Sequence, residues 1–297
     1  MALIELTEVS KLYGFGNATN LALDEVDLSV EPGEFVAVMG PSGCGKTTLM
    51  NVIGLLDKPT HGSYTLEGRH VARLRPNRQA RIRRDKIGFV FQSFNLLPRL
   101  NVLENTALPL VYRGLSPVRA QKRASDILER IGLRAREYYF PRHLSNGELQ
   151  RAAIARALVN EPNIIIADEP TGNLDSGSAR VVMELLADIH RQGNTVLLVT
   201  HNPELTRYAS RVLYMHDGVI VGDERTQIGQ VARGARRIYF RKYRTTDEDV
   251  VAGVSALMRE VPPRELADKP ARGRRAAKKK TPRRPRAPRQ LIRRKKR

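Results

Sequence analysis

The residues Gly40-Pro41-Ser42-Gly43-Cys44-Gly45-Lys46-Thr47 constrain this chain more than any other stretch. They match G-x-x-x-x-G-K-[ST] at every fixed position. The glycines let consecutive backbone N–H groups turn inward around a phosphate with no Cβ in the way. Lys46 then reaches the β- and γ-phosphates of a nucleoside triphosphate as a point charge, and the Thr47 hydroxyl is placed to ligate Mg²⁺. Phe35-Val36-Ala37-Val38-Met39, just before the loop, reads as a buried strand. Thr48-Leu49-Met50-Asn51-Val52-Ile53, just after it, reads as the start of a helix whose N-terminal dipole favours an anion. A strand, a glycine-rich turn and a helix in that order point to an α/β fold that binds a nucleoside triphosphate.

A chain of 297 residues has room for one large α/β domain or two small ones. No apolar run approaches the ~18 residues that span a bilayer. Met1-Ala2-Leu3-Ile4-Glu5-Leu6 reads as a strand and not as a secretory leader. The expectation is a soluble or peripheral protein of the cytoplasm. The single cysteine, Cys44, leaves no internal disulfide and no cysteine-rich zinc module, and its place at a variable position of the loop argues against a redox role. The net charge of +20 is unevenly spread: residues 264–297 carry 17 Lys/Arg against Glu265 and Asp268, which is +15 of the total. The rest of the chain is only mildly basic.

Strand-like runs and turns alternate over residues 1–67, including the turn Glu31-Pro32-Gly33-Glu34. Arg69 to Lys86 is basic and helix-compatible, with Pro76 as an interruption. Ile87–Phe91, Ile164–Ala167 and Thr195–Val199 read as further buried strands. Between Leu96 and Leu158 the pattern is helical, with Ala124, Ile127, Leu128 and Ile131 on one face. Val181, Val182, Leu185, Leu186 and Ile189 form one face of another helix, which stops at Gly193. Asp217-Gly218 has the form of a hairpin turn. The organisation expected is an α/β domain over 1–225 with an inserted helical region at about 93–160. Residues 226–263 form an extension with an amphipathic helix, starting at Thr246 and ended by Pro262-Pro263. Residues 264–297, rich in Lys, Arg and Pro and without aromatics, form a disordered tail.

Several candidates join the loop. Asp168 ends the isoleucine run, where a buried strand delivers a carboxylate towards phosphate and Mg²⁺. Glu169 follows, placed to accept a proton from an attacking water. Gln92 directly follows the second strand, where its neutral amide can bridge Mg²⁺ or the attacking water to a mobile segment, and His201 follows the fourth. Strand ends on one edge of a parallel sheet converge on the ligand crevice. Ser145, in Leu144-Ser145-Asn146-Gly147-Glu148, is placed to cap the helix that runs to Leu158.

These motifs, in this order, resemble the ATP-binding cassette (ABC) ATPase family: the phosphate loop, Gln92, Leu144 to Gln150, Ile164 to Pro170, Asn173-Leu174-Asp175 and His201. The resemblance covers about residues 3–224. It implies a P-loop NTPase core with an antiparallel β subdomain and an inserted helical subdomain. It also implies ATP and Mg²⁺ as cofactors, ATP hydrolysis with Glu169 as general base, and γ-phosphate contacts by Gln92 and His201. Tyr13 matches the aromatic that stacks on adenine, with Phe15 as a substitute. Asp175 matches the loop that crosses between two sites. The resemblance also implies that two copies pair head to tail, with Ser145 and Gly147 of one copy closing over ATP held by the other. The common signature LSGGQ reads LSNGE here, so Asn146 and Glu148 depart from it.

Gly88 to Pro98, Glu104-Asn105 through Pro109-Leu110, and Pro170 to Ser176 resemble the branch that holds macrolide exporters, lipoprotein-release ATPases and cell-division ATPases. That branch implies an integral-membrane permease partner, worked as a lever, and a place on the inner face of the cell membrane. Phe94, Leu96, Leu97 and Leu100 fall where a cytoplasmic permease helix docks, or in the core of the helical subdomain. The alternative function is a soluble ABC ATPase acting on nucleic acid or ribosomes through the basic tail. The tail itself has three readings: a solvated extension, adhesion to an anionic membrane surface, or nonspecific nucleic-acid contact without base stacking. Deleting residues 264–297 is expected to leave ATPase activity nearly intact and to weaken binding to anionic liposomes. Equal liposome binding by both forms removes the membrane reading of the tail.

Overall fold

The computed structural model describes residues 1–14 and 19–228. Phe15, the amphipathic stretch after Thr246 and the basic segment 264–297 lie outside the described residues. Strands β1 (Ile4–Tyr13) and β2 (Asn20–Val30) pair antiparallel, and β3 (Phe35–Met39) then runs through the phosphate loop into α1 (Lys46–Ile53). β4 (His61–Leu66) returns beside β1, and the short β5 (Arg69–His70) completes a sheet of order β2-β1-β4-β5. α2 (Pro76–Lys86) leads into β6 (Ile87–Phe91). Three helices follow: α3 (Val102–Tyr112), α4 (Pro117–Arg130) and α5 (Asn146–Leu158). Then come β7 (Ile164–Asp168), α6 (Ser176–Arg191), β8 (Thr195–Val199) and the hairpin β9 (Arg211–His216) with β10 (Val219–Arg225). The second sheet has the order β10-β9-β3-β8-β7-β6. Its strands are parallel except for β10, which pairs antiparallel with β9. The fold is therefore α/β, with an antiparallel sheet and a helical layer joined to a parallel core.

The parallel strands read as unbroken apolar runs because helices and the other sheet bury both their faces. Side chains alternate between those faces with period two. Val36, Val38, Ile164, Ile166, Leu197 and Val199 point into one core, shared with α1 and the antiparallel sheet. Phe35, Ala37, Ile165, Ala167, Val196 and Leu198 point into a second core, shared with α6. A third core joins α3, α4 and α5 through Val102, Leu110, Leu128 and Ala152. The hairpin turn has Asp217 at φ 44° and Gly218 at φ 83°, both left-handed as a type I′ turn requires.

Two local expectations are corrected. Pro76 does not interrupt a helix but starts one, at the position where its missing N–H costs nothing. The residues before it form β5 and a turn. On α6 the buried face is Val182, Met183, Leu186 and Ile189, whereas Val181 is 49% exposed. Five apolar residues in nine span too wide an arc for all of them to face one sheet.

Two side chains tie down the loop after Gln92: Arg156 donates to the carbonyls of Phe94 and Asn95, and Asn105 holds the stretch from Leu97 on. Asn105 is fully buried on α3. Its Nδ2 donates to the carbonyls of Leu97 at 3.0 Å, Leu100 at 2.9 Å and Asn101 at 3.0 Å, and its Oδ1 accepts from the Leu97 N–H at 2.7 Å. Removing it takes the partner from the Leu97 N–H and the Leu100 carbonyl, whereas the Leu97 and Asn101 carbonyls keep backbone donors; such a loss costs about 1–3 kcal/mol. Asn105→Ala is expected to cost about 3 kcal/mol in urea unfolding, and a loss below about 1 kcal/mol would show that the loop is held by other means.

Candidate nucleotide site

The candidate residues gather on one edge of the parallel sheet. Phe91 of β6 is in register with Asp168 of β7, Asp168 with Val199 of β8, and Val199 with Val38 of β3. The next residues along these strands are Gln92, Glu169, Thr200-His201 and Met39-Gly40. Parallel pairing therefore delivers the phosphate loop, Gln92, the Asp168-Glu169 pair and His201 to the same side.

The loop Gly40–Thr47 wraps the start of α1. Gly45 occupies the N-cap at φ 100°, and a Cβ there would run into the carbonyl oxygen of Ala22. At Gly40 a Cβ would run into the carbonyl oxygen of Met215. Glycine is thus required at both positions, once for φ and once for close approach. The first turn of α1 has no acidic residue, and its leading N–H groups have no acceptor within the helix. Lys46 is buried, and its Nζ donates to the carbonyls of Gly40 at 2.8 Å and Pro41 at 2.7 Å. Ser42, Gly43 and Thr47 are exposed along the loop, and Thr48 is half-buried. Cys44 turns its side chain into the core, and burial pushes its thiol pKa up. That position suits packing and disfavours thiolate chemistry.

Asp168 lies half-buried at the end of β7. Burial raises its pKa, the charge of Glu169 raises it further, and Lys46 opposes both. Its folded-state pKa lies above the unfolded one. Protonation therefore favours the fold at low pH, and that contribution is lost as pH rises through the folded value. Asp168→Asn removes the strained charge and is expected to raise the thermal midpoint at pH 7.5 by about 1–3 °C. An unchanged or lower midpoint in differential scanning calorimetry counts against this charge pair.

Glu169 has φ 47°, a strained conformation for a residue with a Cβ. Its N–H donates to the Val199 carbonyl at 3.0 Å. Its Oε1 accepts from the His201 N–H at 3.1 Å and lies 2.8 Å from His201 Nδ1. The strained turn and the two contacts fix the carboxylate beside the imidazole, whose other edge is exposed. Gln92 is exposed and packs against Gly172, where a Cβ would collide with its amide. The Gln92 carbonyl accepts from Asn173 Nδ2 at 3.0 Å.

Tyr13 ends β1. Its hydroxyl donates to Asp57 Oδ2 at 2.8 Å, and Lys11 Nζ lies 4.8 Å from the ring centroid. Burial, then Asp57, raise the phenol pKa, while a hydrogen bond from Thr48 lowers it, which puts the ring beside the start of α1. Asp57 and Lys11 carry no motif of their own in the sequence.

Among the described residues no cluster of three or more His, Cys, Asp or Glu could hold a metal alone. Oxygen donors brought to this sheet edge include the Thr47 hydroxyl, the Gln92 amide oxygen and the Asp168 carboxylate. This hard, incomplete oxygen set fits Mg²⁺, which keeps waters and shares phosphate oxygens.

Over 226 residues the chain is 46% identical to the uncharacterized ABC transporter ATP-binding protein YvrO of Bacillus subtilis, covering 76% of this chain and 99% of that one. The family model described as ABC transporter matches residues 23–172. The chain belongs to the ABC transporter ATP-binding family. The macrolide export ATP-binding/permease protein MacB of Hyphomonas neptunium is 43% identical over 240 residues, covering 81% of this chain but only 37% of that protein. The dimeric, post-hydrolysis structure of the ATP-binding cassette MJ0796 with ADP and Pi superposes with a TM-score of 0.71 at 42% identity, over 75% of this chain and 99% of that one. As an ABC ATPase, the chain binds and hydrolyses ATP.

The cassette's signature segment opens α5, with Ser145 as N-cap. Ser145 Oγ accepts from the Glu148 N–H at 3.3 Å. Glu148 Oε2 accepts from the Ser145 N–H at 2.8 Å and from its hydroxyl at 3.0 Å. The Ser145 N–H, then its hydroxyl and Arg136, hold the Glu148 carboxyl below its usual pKa. The unusual glutamate therefore completes a capping box. Asn146 Nδ2 donates to the Asn173 carbonyl at 3.0 Å, and Gly147 is buried against Ser178. Asn173 thus links the signature segment to Gln92, a role that spacing alone did not reveal. Asp175 caps α6 by accepting from the Ser178 N–H at 2.9 Å. No hydrogen bond joins Ser145 or Gly147 to residues 40–48 among the described residues.

Proposed function

We propose that two copies of the chain close head to tail over two ATP molecules, and that closure and hydrolysis drive a membrane permease. The observation that carries this reading is the division of the site. The phosphate loop, Glu169 and His201 share one sheet edge, whereas Ser145 and Gly147 start a helix in the helical layer with no hydrogen bond to the loop among the described residues. A second copy supplies Ser145 and Gly147 to the first copy's ATP. The dimeric state of the MJ0796 cassette supports this arrangement.

In the closed pair, Lys46 leaves the Gly40 and Pro41 carbonyls for the β- and γ-phosphates, with the N–H groups of Gly43 to Thr48 around them. Tyr13 stacks on adenine. Thr47, Gln92 and Asp168 hold Mg²⁺, which supplies neutralising charge to the phosphates. Glu169 accepts the proton of the attacking water. His201 keeps Nδ1 on Glu169 and turns its exposed ring edge to the γ-phosphate.

The permease fits a groove of about 550 Å³ between α2, β6 and α3. Leu56, Phe89, Phe91 and Tyr112 give it apolar walls, and Arg81 and Arg84 give it a basic rim. Buried Asn160 leaves its Oδ1 without a partner there. Of the residues assigned to docking from sequence, Leu97 is 46% exposed and Leu96 packs on the helical core. Asn173, bonded to both Asn146 and Gln92, connects nucleotide closure to this side. The chain works on the cytoplasmic face of the membrane, and the permease decides among export, lipoprotein release and envelope remodelling. Purifying the tagged chain from gently solubilised membranes tests this reading. A permease with few membrane helices should co-purify. Ribosomal RNA or DNA without any membrane protein would contradict it.

A further inference from the structure

From Gly68 to Arg84 the chain holds seven arginines and no acid. Arg83 and Arg84 are engaged: Arg83 donates to the Leu55 carbonyl, and Arg84 pairs with Asp85. Arg69, Arg73, Arg75, Arg78 and Arg81 are all exposed. None of these five makes an ion pair or side-chain hydrogen bond among the described residues. Arg75, Arg78 and Arg81 follow at i, i+3 and i+6, a single row along the N-terminal half of α2.

The backbone beneath them is well tied. Gln79, on the buried side of α2, donates to the carbonyls of Val71 at 3.1 Å and Ala72 at 3.4 Å, and Lys58 donates to the Leu74 carbonyl at 3.1 Å. Ile82 and Leu74 pack on the core. The charges are also misplaced for stability. Arg75 and Arg78 stand at the positive end of the helix, where no acid offsets them. Intrachain structure therefore does not explain the row.

We propose that this arginine row docks on the anionic phospholipid headgroups of the bilayer. Its charge and preorganisation suit phosphate, and the absence of aromatics within it removes base stacking as an alternative. Arg81 also lines the groove assigned above to the permease. The inference rests on that assignment only for which side of the cassette meets the membrane, and vesicles without permease test it separately.

The chain has no tryptophan, so an introduced one reports its own surroundings alone. Asn77→Trp places the reporter in the row. Val181→Trp places it on α6, against the opposite face of the parallel sheet. With vesicles of phosphatidylcholine and 30% phosphatidylglycerol, Asn77→Trp is expected to shift to shorter wavelength and to be quenched by a headgroup nitroxide lipid. Val181→Trp should not respond, and pure phosphatidylcholine should affect neither. In the full chain with its tail intact, Arg75→Glu/Arg78→Glu/Arg81→Glu should lower partition onto the anionic vesicles at least fivefold. Its thermal midpoint should be equal or higher, which shows that the fold is kept. Equal responses at 77 and 181, no response at 77, or wild-type partition of the triple variant would overturn the proposal. A triple variant that keeps vesicle binding but loses the co-purifying permease would reassign the row to an acidic permease segment.

Discussion

Glu169→Gln is expected to leave ATP binding intact and to slow hydrolysis by about a thousandfold, within the range for loss of a positioned general base. The amide keeps the size of the carboxylate and an acceptor oxygen for the His201 N–H, 3.1 Å away in the native chain. The strained turn at φ 47° is set by the backbone bond to Val199 and survives the change. What disappears is the ability to take a proton from water. Phosphate release under single-turnover conditions reads this directly. Hydrolysis within threefold of the native rate would remove Glu169 from the role of base and pass it to another group near the γ-phosphate.

Lys46→Met should weaken ATP binding by at least a hundredfold. Methionine fills most of the buried volume, so the change is chiefly the loss of charge. Lys46 is the residue whose ammonium already touches the loop carbonyls of Gly40 and Pro41, and charge-assisted bonds to phosphate are about twice as strong as neutral ones. The two freed carbonyls add a smaller cost to the loop itself. Titration calorimetry with ATP measures the effect. Affinity within threefold of native would mean that the backbone cradle and α1 alone hold the nucleotide.

The parallel core was legible because its strands are unbroken apolar runs, and because the strand–loop–helix order of residues 35–53 admits few folds. Gln92, Asp168, Glu169 and His201 could be placed together because each follows such a run. The fine structure of the site was less visible. The Glu148 capping box follows from a Ser-x-x-Glu spacing that local rules do read; comparison with the family signature shows only that Glu148 departs from it. The link from Asn146 through Asn173 to Gln92 joins residues 27 and 81 positions apart, and only the packed fold brings them together. Val181 misled because periodicity gives an apolar arc, not the angle at which a helix meets its sheet. Pro76 misled because proline breaks a helix interior but favours a helix start, and local sequence does not say which of these it is.

The composite site is tested most directly by the mass of Glu169→Gln in solution, measured by light scattering with and without ATP. The single chain has a mass of 33.4 kDa. Without nucleotide that mass is expected, and saturating ATP should double it. A second substitution, Ser145→Arg, should restore the single-chain mass without reducing ATP affinity. A Glu169→Gln chain that binds ATP and stays at the mass of one copy would contradict a site shared between two.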